Sequence, residues 1–215
     1  MKYGIAEIFF SIQGEGEYVG QPMAFVRLAG CNYSCPWCDT DYGVKDRLTA
    51  AEIVSELIRS WPLCGTPTQN LPVLESDLHV CLTGGEPTMY DLAPLLDAMP
   101  YGTTVHLESN GSASKETYLD LIQRGVHVVV SPKNSDGSAS QGWVGPCMEL
   151  KLVDQDQDLS RFGSTVNQAT YWLQPLHDPD DEALTTRRTQ EVVYKCISNP
   201  KWRVSVQLQK MLNLR

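Results

Sequence analysis

The sequence is short of positive charge. It has 17 Lys and Arg against 26 Asp and Glu, a formal net charge of −9 over 215 residues. Nucleic acid and anionic membranes select basic faces, so neither is an expected partner. No run of about eighteen apolar residues occurs, which leaves no helical membrane span. The opening Met1-Lys2-Tyr3-Gly4 lacks the apolar region of a secretory signal. No linker-like stretch divides the chain, and its length suits one domain with a sizeable core. Histidine is scarce: there are 4, and none lies within about twenty residues of the cysteine-rich stretch that organises the chain.

Cysteine is the residue that is present and patterned. Of 7 cysteines, three stand in Gly30-Cys31-Asn32-Tyr33-Ser34-Cys35-Pro36-Trp37-Cys38-Asp39-Thr40. The odd number and this loop argue for a reducing, cytoplasmic setting over a disulfide framework. A loop so short can turn three thiolates toward one point. Structural zinc wants four closed protein ligands, and no fourth Cys or His is at hand. A 4Fe–4S cube held by three thiolates keeps one iron open for a small molecule. The spacing therefore points to an open cluster, and the hypothesis is that its ligand is S-adenosylmethionine and the chemistry radical. Structural zinc and a simple electron carrier are the competing readings. Cys64, Cys81, Cys147 and Cys196 each sit singly and read as small core or surface residues.

The pattern along the chain predicts α/β. Strands are expected over 4–12, 23–28, 78–82, 104–107, 126–130, 148–152, 170–173 and 203–208. Helices are expected over 92–98, 117–124 and 178–196, the last capped at Asp178-Pro179. Another is expected after Thr49, where Thr49 and Glu52 form a capping box, and it ends by Trp61-Pro62. Gly125 is a helix stop. A surface loop is expected over 63–77, a flexible Ser/Gly-rich connection over 134–145 and a solvated acidic run over 154–158. Some six alternations of strand and helix argue for a parallel sheet. In such sheets ligands collect at the carboxyl ends of the strands.

Several residues at those strand ends have two readings. Gln13-Gly14-Glu15-Gly16-Glu17 is either a plain turn or a backbone cradle for a ligand. Arg27, in an apolar strand, pairs either with an internal carboxylate or with a substrate carboxylate through two hydrogen bonds. Thr83-Gly84-Gly85-Glu86-Pro87 lets backbone approach a ligand closely. Glu108 is either a turn carboxylate or an acceptor for ribose hydroxyls. Lys133 is either a solvated loop lysine or a partner for a carboxylate.

The cysteine loop resembles that of the radical S-adenosylmethionine superfamily. More closely, the chain resembles the 7-carboxy-7-deazaguanine synthase family of queuosine biosynthesis, nearly end to end. The likeness is carried by Glu7-Ile8-Phe9, Ser11-Ile12-Gln13-Gly14-Glu15-Gly16, Phe25-Val26-Arg27-Leu28-Ala29-Gly30-Cys31 and Thr83-Gly84-Gly85-Glu86-Pro87. It continues in Glu108-Ser109-Asn110-Gly111, Ser131-Pro132-Lys133, Leu173-Gln174-Pro175-Leu176 and the tail Arg203-Val204-Ser205-Val206-Gln207-Leu208-Gln209-Lys210.

The resemblance implies one domain with an incomplete (β/α)6-type barrel and a C-terminal tail that contacts substrate. It implies a lyase that converts 6-carboxy-5,6,7,8-tetrahydropterin to 7-carboxy-7-deazaguanine with loss of ammonia. The implied cofactors are a 4Fe–4S cluster on Cys31, Cys35 and Cys38, S-adenosylmethionine, and Mg2+ at Thr40. The implied contacts to S-adenosylmethionine are Pro36, Trp37, Cys38, Gly85, Glu86, Glu108, Ser131, Pro132, Lys133, Gln174, Pro175 and Leu176. Those to substrate are Ile12, Gln13, Gly14, Glu15, Arg27, Thr83, Gln209 and the terminal Arg215. Gln209 stands where the family carries His, and cannot titrate near neutrality. His177 also departs from the family pattern. The implied partners are the pterin, an external flavodoxin-like electron donor and a second copy in a homodimer. A glycyl-radical activating enzyme of the same superfamily is the alternative function.

Overall fold

A computed structural model describes residues 1–60 and 78–214. Cys64, Arg215 and the loop expected over 63–77 lie outside the described residues, as does the end of the first helix at Trp61-Pro62. The first three strands are β1 (Tyr3–Ile12), β2 (Pro22–Leu28) and β3 (Asp46–Leu48). Helix α1 (Ala50–Ser60) precedes β4 (His79–Gly84). Next come α2 (Ala93–Asp97), β5 (Thr104–Ser109), α3 (Lys115–Gln123) and β6 (His127–Val130). Then follow β7 (Trp143–Gly145), β8 (Glu149–Val153), β9 (Phe162–Ser164) and β10 (Thr170–Gln174). The chain closes with α4 (Glu182–Ser198), β11 (Trp202–Val204) and α5 (Leu208–Met211).

Nine strands form one open sheet in the order β11-β10-β8-β6-β5-β4-β2-β1-β3. From β2 to β11 every neighbouring pair is parallel. The expectation of a parallel sheet is corrected at one edge, where β1 runs antiparallel to both β2 and β3. The connection from β1 to β2 spans only residues 13–21, too short for the crossover that parallel pairing needs. The alternation with helices is also thinner than expected. The β6–β8 and β8–β10 crossovers carry no α-helix, and β7 and β9 pair there in a small sheet of their own. Segment 134–145, expected to be a flexible connection, holds β7 and packs on the cysteine loop: Ser34 N–H donates to Ser135 O at 2.9 Å.

Local signals placed most helix ends. Thr49 Oγ1 accepts from Glu52 N–H at 3.3 Å, and Glu52 Oε2 accepts from Thr49 N–H at 2.7 Å, so the capping box is reciprocal. Gly125 stops α3 with φ +84, a conformation that favours glycine. The cap of α4 is Asp181, whose side chain accepts from Leu184 N–H, and not Asp178. Asp178 instead lies 3.7 Å from Arg188 and closes a turn onto Asp180 N–H. The acidic run is not simply solvated, because Lys195 Nζ bridges Asp154 and Asp156 at 2.6 Å each. The last strand ends at Val204, earlier than expected, because the tail turns back: Leu208 N–H donates to Gly14 O at 2.9 Å.

Two apolar clusters fix these layers. The larger joins inward faces of the helices to the outer face of the sheet, with Ile53, Leu57, Leu95, Leu121 and Val192 packed near Val26, Leu82, Leu107, Val128 and Leu150. The smaller lies on the concave face and holds Phe9, Met23, Phe25 and Cys81 with Tyr18 packed against it. Side chains alternate along a strand, so His79, Cys81 and Thr83 share that concave face. The same alternation puts His106 with Glu108, and Glu149 with Lys151 and Val153. The concave face is therefore layered, with apolar residues on β1 and β2 and polar ones from β4 to β8.

Candidate active site

The carboxyl ends of the parallel strands open into a cavity of about 490 Å³, within the roughly 300–1,000 Å³ common for small-molecule sites. Sixteen of the residues singled out in the sequence line it: Ile12, Gln13, Gly14, Glu15, Arg27, Trp37, Thr40, Thr83, Gly85, Glu108, Ser131, Lys133, Gln174, Pro175, Leu176 and Gln209. His177 lines it too. Cys31, Cys35, Cys38, Pro36 and Pro132 stand outside the lining, and the cysteines belong to the loop that carries Trp37 and Thr40 to its mouth.

Cys31 and Cys35 are half-buried, Cys38 is exposed, and all three are free thiols. Their loop is braced from two sides. Trp37 Nε1–H donates to Gly137 O at 2.9 Å, and a Cβ at Gly137 would overlap Cys35 Cα. On the other side Glu86 N–H donates to Gly30 O at 2.9 Å, and a Cβ at Gly85 would overlap that same carbonyl. Gly85 thus lets the end of β4 dock against the cysteine loop, and Gly84 lets it pass close to the Leu28 backbone of β2. Burial pushes the Cys35 thiol up, while the Lys133 ammonium and its own backbone pull the other way. Lys133 in turn lies 5.5 Å from the centre of the Trp37 ring, with its own pKa lowered by burial. Three thiols on one open loop, with no fourth cysteine beside them among the described residues, fit a cluster that keeps one iron free. Cys81, Cys147 and Cys196 are buried elsewhere, and burial pushes the Cys147 thiol up to about 12.

Glu86 departs from its expected place. It is fully buried and is not part of the cavity lining. Its Oε1 accepts from Thr88 N–H and Ser109 Oγ–H, and its Oε2 from Asn110 N–H at 2.6 Å. Those donors tie the end of β4 to the end of β5 and leave its carboxylate committed. Arg27 has the internal carboxylate of its first reading and also lines the cavity. Its Nε is 3.6 Å from Glu7 Oε2, and its Nη1–H donates to Thr40 Oγ1 at 3.3 Å.

The centre of the cavity is a charge network that the sequence did not disclose. Lys151, on apolar β8, donates to Glu15 Oε2 at 2.6 Å and to Glu108 Oε2 at 2.8 Å. Glu15 Oε1 also accepts from Gln207 Nε2 at 2.9 Å and from Gln209 Nε2 at 3.2 Å. Burial pushes the Glu15 carboxyl up, but Lys151 and these hydrogen bonds outweigh it and hold it below the ordinary value. For Glu108 burial wins over Lys151, and its carboxyl lies above the ordinary value. Burial disfavours the Lys151 ammonium, yet the two carboxylates overcome it and raise its pKa. Gln209, at the position where the family carries His, keeps its Oε1 against Gly14, where a Cβ would overlap it. Lys151 and Gln207 are site residues that sequence reasoning missed. The one available signal was a lysine among apolar residues of a strand whose other charged residue is Glu149.

Beneath this network lies a layer of histidines. His79 Nδ1 and His106 Nε2 are 3.0 Å apart, and His127 Nε2–H donates to Glu149 Oε1 at 2.6 Å. Tyr18 packs edge-on against His106 and His127, with ring centroids 4.4 and 4.8 Å away. Ligand atoms of Glu17, His127 and Glu149 lie within 4.8 Å of one another, a closeness that the His127–Glu149 hydrogen bond itself explains. Burial, then the charges of His127 and His79, push the His106 pKa from 6.5 down to about 3. The folded protein thus takes up a proton there less readily than the unfolded chain. Stability from this group is whole above pH 6.5 and is lost as pH falls toward 3. The loss is about 2 kcal/mol at pH 5. Thermal melting of wild type and His106→Gln at pH 7 and pH 5 checks this, with the variant expected to show the shallower decline.

No protein-family model matches the chain. It is 31% identical to the 7-carboxy-7-deazaguanine synthase of Caulobacter vibrioides, with all of both chains covered. It is 30% identical to that of Bacteroides thetaiotaomicron, with 98% of each covered. The chain belongs to the 7-carboxy-7-deazaguanine synthase family. A crystal structure of QueE from Escherichia coli shares its fold, with a TM-score of 0.62 and 23% identity over 97% of this chain and 95% of that one. This family member thus keeps an α/β barrel that is open between β11 and β3. Among the described residues no helix is long and apolar enough to cross a membrane.

Proposed function

We infer that the protein is a radical S-adenosylmethionine lyase that converts 6-carboxy-5,6,7,8-tetrahydropterin to 7-carboxy-7-deazaguanine and ammonia, a step of queuosine biosynthesis. The observation that carries this reading is the full-length membership of the 7-carboxy-7-deazaguanine synthase family. Cys31, Cys35 and Cys38 would hold a 4Fe–4S cluster and leave one iron for S-adenosylmethionine. Bound together, these cofactors would supply radical chemistry for hydrogen abstraction at C6 of the pterin.

What the chain contributes is placement. Gly85, Ser131, Pro132, Lys133, Gln174, Pro175 and Leu176 line or flank the cavity wall suited to the nucleoside, with Trp37 and Pro36 at its mouth. Glu108 Oε1 stands outside the ion pair with Lys151 and suits a ribose hydroxyl. Arg27 suits the substrate carboxylate, because its guanidinium faces the cavity while Glu7 steadies it from behind. Thr40 offers one oxygen to Mg2+, and substrate and water would complete the shell. Glu15, held ionised, can accept hydrogen bonds from pterin N–H groups. Ile12, Gln13, Gly14, Thr83 and Gln209 shape the remaining wall. A flavodoxin-like protein is the proposed reductant, and a homodimer the proposed assembly.

The test is turnover. Reduced, anaerobically reconstituted protein should yield the mass of 7-carboxy-7-deazaguanine from the pterin, with many turnovers per S-adenosylmethionine. Cleavage of S-adenosylmethionine without that product would favour the glycyl-radical activating enzyme. A cluster spectrum indifferent to S-adenosylmethionine would favour an electron carrier.

A further inference from the structure

The loop at residues 13–17 supplies Gln13, Gly14 and Glu15 to the cavity, yet little in its own sequence fixes its shape. Two glycines enlarge the set of conformations it would otherwise sample. Its closure is made by Gln13 N–H to Gln21 O and Gly20 N–H to Gln13 O, both 2.7 Å. Two side chains of β8, on the same face of that strand, grip it from outside. Lys151 holds the Glu15 carboxylate within the cavity. Glu149 holds the loop from below: its Oε2 accepts from Glu17 N–H at 2.8 Å.

The fit at Glu149 is close. Gly16, at φ +71, has no room for a side chain, because a Cβ would lie 2.6 Å from Glu149 Oε2. Glu149 is 2% exposed and does not line the cavity. Its other oxygen is fixed by His127, so the carboxylate is held at both ends. Tyr18, at the far end of the same loop, wedges against His127 and His106. The histidine layer thus orients Glu149, and Glu149 sets the height of the loop under the pterin.

We propose that Glu149, oriented by His127, is a positioning residue for substrate: it never touches the pterin but fixes the loop that carries Gln13 and Glu15. The proposal rests on the reading of that loop as a substrate wall. In reconstituted holoenzyme, Glu149→Leu removes both hydrogen bonds. KM for the pterin should rise roughly tenfold to a hundredfold, the scale of an ångström-sized misplacement, while kcat changes little. Amide hydrogen exchange across 13–21 should accelerate. Glu149→Gln should restore both readouts, since its amide oxygen still accepts from Glu17 N–H and its NH2 can donate to the other tautomer of His127.

Gly16→Ala tests the contact from the loop side and covers the case in which Glu149→Leu does not fold. It should raise KM too, and the double variant should be less than additive. Substrate-independent cleavage of S-adenosylmethionine should stay unchanged in all of them. The proposal is overturned if Glu149→Leu keeps wild-type KM and loop exchange, if Glu149→Gln is as impaired as Glu149→Leu, or if cofactor cleavage falls in step with turnover. Should wild type fail to convert the pterin, the functional reading fails. Exchange across 13–21 then still decides whether Glu149 orders the loop.

Discussion

Lys151→Met is expected to destabilise the protein by about 3–5 kcal/mol and to abolish pterin turnover. Lys151 Nζ is the cation between Glu15 and Glu108, and its side chain is 7% exposed. Methionine matches its length, so the loss is one of charge. Breaking a buried ion pair from one side leaves Glu15 and Glu108 without their countercharge. For a chain of this size the melting temperature should fall by roughly 6–20 °C. The pH dependence identifies the cause. With no cation, both buried carboxyls have raised pKa values, so the folded variant binds more protons than the unfolded chain and loses stability as pH rises. Lys151→Met should therefore melt higher at pH 6 than at pH 8. Adding Glu15→Gln and Glu108→Gln should recover most of the stability and none of the turnover. A single variant that melts like wild type at both pH values would remove the network from any account of this site.

Cys35→Ala is expected to reduce turnover and substrate-independent cleavage of S-adenosylmethionine to background, with the fold retained. Three thiolates are the fewest that anchor the cube with one iron open, and two leave it labile. Cys35 is half-buried in a surface loop, so the change removes little packing. Cys147→Ala is the control. That residue is fully buried in the larger apolar cluster, away from the cysteine loop, and burial pushes its thiol up to about 12. Its loss should cost stability and spare the cluster. Iron and sulfide per chain, with 5′-deoxyadenosine formation, measure both. Full iron and normal cleavage in Cys35→Ala would refute the three-cysteine anchor.

The legible parts of the site were local. Cys31, Cys35 and Cys38 announce themselves because a spacing of three and two residues is itself a geometric statement. The same holds for Thr49 and Glu52, whose reciprocal bonds span one helical turn. The need for glycine at Gly84-Gly85 was also readable, and the close approach is that of the Leu28 backbone to Gly84 and of the Gly30 carbonyl to Gly85. The partners of Glu86 were not readable, because Ser109 and Asn110 come from the end of the next strand. Arg27 had two readings because Glu7 and Thr40 reach it from different segments. The antiparallel edge and the helix-free crossovers were missed because apolar periodicity marks strands but not their direction.

The sequence by itself determined an open α/β fold with a three-cysteine loop and ligand-binding motifs at strand ends, since those are properties of short stretches. The tertiary structure alone decided the charge balance. Lys151 meets Glu15 across 136 positions and Glu108 across 43. Glu149 reaches the loop it supports across 132. A buried charge takes its meaning from whichever carboxylate or amide the fold brings within hydrogen-bonding distance. No local pattern encodes that distance.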